Sequence, residues 1–138
     1  MPKITATRTA LGRHLAAVVE EDLRAKMVFV AGPRQCGKTT LARLMLAKLS
    51  GSYFNWDVAA HRKQLQAFAL PHDSKLWVFD ELHKFRTWRS WLKGVYDLHA
   101  DDHALLVTGS ARLDIYSRGG DSLQGRYLLH RMHPVTLS

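Results

Sequence analysis

The sequence predicts an α/β domain built on a parallel sheet. Three observations carry that prediction. Short apolar runs alternate with segments whose apolar residues recur at helical spacing. Glycine, proline and serine clusters punctuate the joins. The polar residues with chemical potential fall just after the apolar runs, where parallel sheets place ligands beyond their carboxyl ends.

Taken in order, Leu11, Leu15, Val18, Val19 and Leu23 predict an amphipathic helix over about residues 9–23. Met27 to Ala31 is short and wholly apolar, as a buried strand is. Leu41, Leu44, Met45 and Leu49 predict the next helix, which Ser50-Gly51-Ser52 breaks. The aromatic stretch Tyr53 to Trp56 reads as a second strand. From Asp57 a helical segment is expected to run to the turn at Pro71. Lys75 to Phe79 is the third strand, ending at Asp80-Glu81. Leu82, Phe85, Trp88, Trp91, Leu92 and Val95 predict one long helix from Glu81 to about His99, with room for an irregular first turn. Ala104 to Thr108 is a fourth strand and Tyr127 to His130 a fifth. Between these two, Arg112 to Tyr116 reads as a short helix and Ser117 to Asp121 as a loop.

The most informative stretch follows the first strand. Gly32-Pro33-Arg34-Gln35-Cys36-Gly37-Lys38-Thr39 fits G-x-x-x-x-G-K-[ST], between a strand and a helix. The chemistry requires these residue types. Glycines let the backbone wrap closely around phosphate oxygens, and its N–H groups converge on the anion with help from the helix dipole. Lys38 adds a positive charge near the β- and γ-phosphates, and the Thr39 hydroxyl can ligate Mg²⁺; Thr40 completes the stretch. The run LWVFDE, Leu76 to Glu81, is an apolar strand ending in two carboxylates. After a matching phosphate loop, Asp80 is expected to hold Mg²⁺ and Glu81 to polarise an attacking water. On its own, the pair could equally cap the next helix.

Composition bounds the partners. The 138 residues suit one domain with its own core, and no apolar run approaches the roughly 20 residues of a membrane span. A single cysteine, Cys36, fits a reducing, cytoplasmic setting and reads as a small filler residue. The net charge of +8 admits nucleic acid, an acidic partner, or only a phosphate site with a solvated surface. Trp88 and Trp91 could stack bases, but their spacing favours packing. The face bearing Lys84, Arg86, Arg89 and Lys93 reads as solvated. His99-Ala-Asp-Asp-His103 reads as a solvated turn, and zinc is rejected there for want of further ligands.

Together GPRQCGKTTLA, FDELHK, WLKGVYD, TGSARLDIYSRGGDSLQGRY and HPVTLS resemble the AAA+-type domain of a family of bacterial and archaeal P-loop ATPases. In that family a C-terminal domain of unknown function normally follows. The resemblance runs from about Arg8 to Ser138. It implies a three-layer P-loop NTPase fold with sheet order 5-1-4-3-2, helices on both faces, and ATP with Mg²⁺ as ligands. By position it makes Gly32 to Thr40 the nucleotide loop, Asp80 the metal residue and Glu81 the catalytic carboxylate. Ser110 resembles a sensor of the γ-phosphate, with Thr108 as the alternative. Arg126 stands where such proteins place an arginine finger for a neighbouring subunit, with Arg112, Arg118 and Arg131 as competitors and a local pairing with Asp121 as the plainer reading. The family continues past the point where this chain stops, so residues 1–138 are expected to be the ATPase core, cut before the lid.

Three functions fit these residues. One is a Mg²⁺-dependent ATPase that rearranges a partner, working as a homo-oligomer through the trans arginine. The second is a non-hydrolysing ATP-sensing switch that binds nucleic acid or protein. A small-molecule kinase is third, because its acceptor-site and lid arginines are not recognisable.

Overall fold

The computed structural model of the chain describes residues 14–33, 37–110, 123 and 125–132. Helix α1 covers 14–23. Strand β1 (Met27–Ala31), helix α2 (Lys38–Leu49), strand β2 (Gly51–Asn55) and helix α3 (Ala59–Gln66) follow. Strand β3 (Leu76–Asp80), a 3-10 turn (Leu82–Lys84), helix α4 (Trp88–His99), strand β4 (Ala104–Gly109) and strand β5 (Tyr127–Arg131) complete it. All strands are parallel, in the order β2-β3-β4-β1-β5. Read from the other edge this is 5-1-4-3-2, the expected order.

The apolar runs are continuous because β1, β3 and β4 are covered on both faces. Alternation then sends successive residues to opposite sides. Met27 and Phe29 of β1, Trp77 and Phe79 of β3, and Leu105 and Val107 of β4 face one core with Leu65 of α3 and Trp88, Trp91, Leu92 and Val95 of α4. Val28, Val30, Leu76, Val78 and Leu106 face the other, closed by Val19 of α1 and Leu41 and Met45 of α2. Trp88 and Trp91 are thus core residues, as their spacing predicted.

Four expectations change. The segment after Asp57 stops being helical at Gln66, well before Pro71. Phe68 turns to a positive φ and stacks on Trp91, with Ala69 N–H donating to the Gln64 carbonyl; this brings Leu70 into the core. The predicted helix 81–99 is two pieces. Glu81 has φ +59, and its N–H donates to the Thr108 carbonyl, extending the sheet ladder rather than starting a helix. Phe85 is extended and stacks on Trp56 at 4.2 Å between ring centroids, so α4 begins only at Trp88. Next, β2 starts at Gly51 directly after α2; an added Cβ there would meet Leu46 Cδ2 at 2.8 Å and Leu76 at 3.1 Å. Finally, Ala100 to Asp102 form the expected turn, with Asp101 and Asp102 exposed, but the histidines flanking it do not: His99 closes α4 and His103 is buried just before β4. The predicted elements at Arg112–Tyr116 and Ser117–Asp121, and residues 9–13 of the first helix, lie outside the described residues.

Among the described residues, no helix is long and apolar enough to cross a membrane.

Candidate nucleotide-binding site

The carboxyl ends of β1, β3 and β4 meet at one edge of the sheet. Gly32 leaves β1 with its N–H on the Gly109 carbonyl at 3.2 Å. Gly37 caps α2 with φ +100, a backbone region that L side chains rarely adopt, which is why glycine stands there. Among the described residues no side chain caps α2, and no acidic residue occupies its first turn. The positive end of its dipole is therefore offered to an outside anion. Thr39 and Thr40 are exposed in that turn.

Lys38 is half-buried, and its Nζ donates to the Gly109 carbonyl at 2.7 Å. One residue earlier on β4, the buried Thr108 donates its hydroxyl to Asp80 Oδ1 at 2.9 Å. Consecutive β4 residues therefore tie the ammonium and the carboxylate to one place. Tyr53 on β2 donates to the other oxygen, Asp80 Oδ2, at 2.5 Å, and Asn55 Nδ2 donates to the Tyr53 hydroxyl at 3.2 Å. Burial, then the Asp80 carboxylate, pushes the Tyr53 phenol up to about 12. Tyr53 thus stays a donor at any physiological pH.

Glu81 belongs to a second, adjoining network. Lys84 lies 3.3 Å from Glu81 Oε2 and 2.9 Å from Asp57 Oδ1. His83 Nε2 lies 3.6 Å from Glu81 Oε2 and 3.4 Å from Ser110 Oγ, so one imidazole sits between the two. Its ring is largely enclosed, and Nδ1 has no partner among the described residues. Burial holds its pKa below the ordinary histidine value, against the pull of Glu81. The imidazole is therefore neutral near pH 7, able to relay a hydrogen bond without adding charge.

Comparison with known proteins settles the family. A family model described as an AAA domain matches residues 24–138. The chain belongs to the AAA domain family of P-loop ATPases. An uncharacterized protein of Mycobacterium tuberculosis, Rv2008c, and one of Mycobacterium bovis, Mb2031c, are each 32% identical over 128 residues, or 91% of this chain. The chain spans 29% of the length of those relatives. Among solved structures, the Thermotoga maritima RuvB Holliday junction branch migration motor matches with TM-score 0.59 at 19% identity, over 90% of this chain and 44% of that one. The Aeropyrum pernix ORC1 protein in complex with DNA matches with TM-score 0.60 at 19% identity, over 88% and 44%. At that identity the likeness shows the fold alone.

Within this AAA domain, the structure brings Lys38, Asp80 and Thr108 together and sets Glu81 and Ser110 on either side of His83. Arg34, Gln35 and Cys36 lie outside the described residues, as do Arg112 and Arg118. Arg126 stands apart. It precedes β5 at the amino-terminal edge of the sheet, and its Nε donates to Asp97 Oδ1 of α4 at 3.0 Å. That guanidinium is across the sheet from the loop of its own chain. Lys84 and Lys93, read as a solvated face, are each ion-paired, with Asp57 and with Asp97. Sequence reasoning missed Tyr53 and His83 as site residues. Tyr53 gave no signal, being one aromatic among several on a strand; His83 could have been singled out only by its nearness to Asp80-Glu81.

Proposed function

We propose that this AAA domain binds ATP with Mg²⁺ and hydrolyses it to rearrange a partner, as the ATPase core of a longer cytoplasmic protein. The observation that carries the proposal is the convergence on β4. The Lys38 ammonium and the Asp80 carboxylate are held by neighbouring residues, Gly109 and Thr108, beside an uncapped helix N-terminus. These groups fit the ligands. The α2 N–H groups and Lys38 suit a polyphosphate, while Thr39 and Asp80 offer the hard oxygens that Mg²⁺ prefers. Mg²⁺ held there would supply positive charge to offset that of the phosphates.

The chain's own residues then have distinct tasks. Gly32 to Thr40 cradle the phosphates, and Lys38 balances charge developing on the γ-phosphate. Glu81 orients and polarises the attacking water, with Lys84 and His83 fixing its carboxylate. Ser110 senses the γ-phosphate through the same imidazole. Arg126, too remote to serve its own loop, acts on a neighbouring subunit, which makes the working form a homo-oligomer. The net charge of +8, with a DNA-bound protein and a Holliday junction motor among its fold relatives, supports nucleic acid as the partner. The same charge favours the second reading, a switch that binds nucleic acid in response to ATP without turning it over.

Calorimetric titration of Mg-ATP into wild type and Lys38→Ala is the test. Removing the ammonium should weaken binding by about 10- to 100-fold, the worth of a charge-assisted bond. Glu81→Gln should keep binding while lowering turnover by ~10²–10⁴-fold. Tight binding with no turnover in wild type would select the switch. A wild-type chain indifferent to nucleotide would sink both. Nucleotide-dependent assembly on a sizing column, lost in Arg126→Ala, would support the trans arginine.

A further inference from the structure

At the edge of the sheet opposite the nucleotide loop, three histidines from separate elements meet around one tryptophan. His72 belongs to the loop before β3, His99 closes α4 and His103 immediately precedes β4. Each offers one ring nitrogen, and these nitrogens all lie within 4.8 Å of one another. We propose that His72, His99 and His103 bind a zinc-class divalent cation, which ties the loop before β3, the end of α4 and the start of β4 together.

The surroundings are those of a prepared ligand set. His103 is buried, and its Nδ1 faces the Ser74 carbonyl at 2.6 Å, so Nδ1 carries the proton and Nε2 is left with its lone pair. A ring nitrogen oriented by a backbone carbonyl on its far side is the usual support for a metal-bound imidazole. Trp77 packs against two of them and anchors the residue before the third. The His103 ring stacks on it at 4.0 Å with 13° between planes, and the His99 ring meets it edge-on at 5.2 Å. Its Nε1 donates to the carbonyl of Pro71, the residue before His72, at 2.9 Å. A tetrahedral zinc with Zn–N near 2.0–2.1 Å sets its nitrogens about 3.3 Å apart. The triad must therefore contract by roughly 1.5 Å from its 4.8 Å limit. His72 is exposed and can supply that movement by rotating its own side chain.

The chemistry selects the metal. Three neutral imidazoles suit zinc, nickel, copper and cobalt rather than Mg²⁺, so this site and the nucleotide site do not compete for one ion. A water would complete the tetrahedron. The alternative is that the rings only pack against Trp77. Packing explains the stacked His103; the exposed His72, its ring 5.7 Å from His99 and 6.0 Å from His103, adds no buried surface that would require its nitrogen to stand so close to theirs.

The test uses the untagged, chelator-stripped full chain. Calorimetry with zinc chloride should give one equivalent bound, with a raised melting temperature. Co²⁺ substituted for zinc should show visible d–d absorption of a four-coordinate site. His72→Ala and His99→Ala alter accessible side chains and leave buried His103 in place. Each should lose about 100-fold or more in zinc affinity, beyond the 10- to 100-fold typical of supporting residues. Asp80→Asn should retain wild-type zinc affinity, since it touches only the nucleotide site. Absence of stoichiometric zinc binding would overturn the proposal. So would binding of wild-type strength in both His72→Ala and His99→Ala, or binding lost only in Asp80→Asn.

Discussion

The two faces of the sheet are built from different materials. One core is aromatic: Phe29, Trp77 and Phe79 from the strands meet Trp88 and Trp91 from α4. The other is aliphatic, with Val28, Val30, Val78 and Leu106 packed against Leu41 and Met45 of α2. The difference has a structural consequence. Aliphatic side chains fill space and hold α2, and thus the phosphate loop, through packing alone. The tryptophans also carry a polar handle, which buried indoles nearly always use. Trp91 Nε1 donates to the Leu65 carbonyl at the end of α3, and Trp77 Nε1 to Pro71 in the next loop. The aromatic core therefore organises connections as well as filling volume, whereas the aliphatic core only supports the helix above it.

The strongest challenge to that contrast is a pair of truncations. Trp77→Ala should cost ~3–5 kcal/mol, and Met45→Ala ~2–5 kcal/mol, in urea unfolding. The contrast predicts that the tryptophan change is the larger, because it also releases the Pro71 loop and the ring of His103. A greater loss from Met45→Ala would reverse it.

Trp91→Phe sharpens the point by keeping a ring while deleting the indole N–H. The Leu65 carbonyl then keeps the Phe68 N–H but loses the indole donor, at a cost of about 0.5–1.5 kcal/mol. Protection of the α3 end in hydrogen exchange should fall with it. Unchanged exchange there would mean that the polar handle does nothing.

The smallest effect concerns acid. His83 has a folded-state pKa held below its ordinary 6.5 by burial. The unfolded chain therefore binds this proton more readily than the folded one, and stability rises with pH across that interval. Its contribution is intact above pH 6.5 and is lost progressively as pH falls from there toward the depressed folded value. Unfolding curves from pH 7.5 to 5 should show this decline, and His83→Gln should flatten it. An identical slope in both proteins would assign the acid sensitivity elsewhere.

Much of this was legible in the residues themselves. Five strands followed from apolar runs and their interruptions, and Gly37 from a pattern that needs a positive φ before Lys38. Helix ends were less legible. Nothing local stops a helix at Gln66; Phe68 leaves it to stack on Trp91, a residue more than twenty positions away. Nor could periodicity reveal the break after Glu81, because Leu82 and Trp88 are both buried and both look helical.

Local chemistry along the chain determined the strand–loop–helix unit, the doubly covered strands and the acidic end of β3, since each depends on neighbours a few residues apart. Tertiary structure decided who meets whom. Parallel register sets Asn55 beside Asp80 and Asp80 beside Thr108, which is how Tyr53 and Thr108 come to grip one carboxylate. It also gathers His72, His99 and His103 at the other edge. Side chains from different strands converge only once register and crossover are fixed, and those are properties of the whole sheet rather than of any stretch of it.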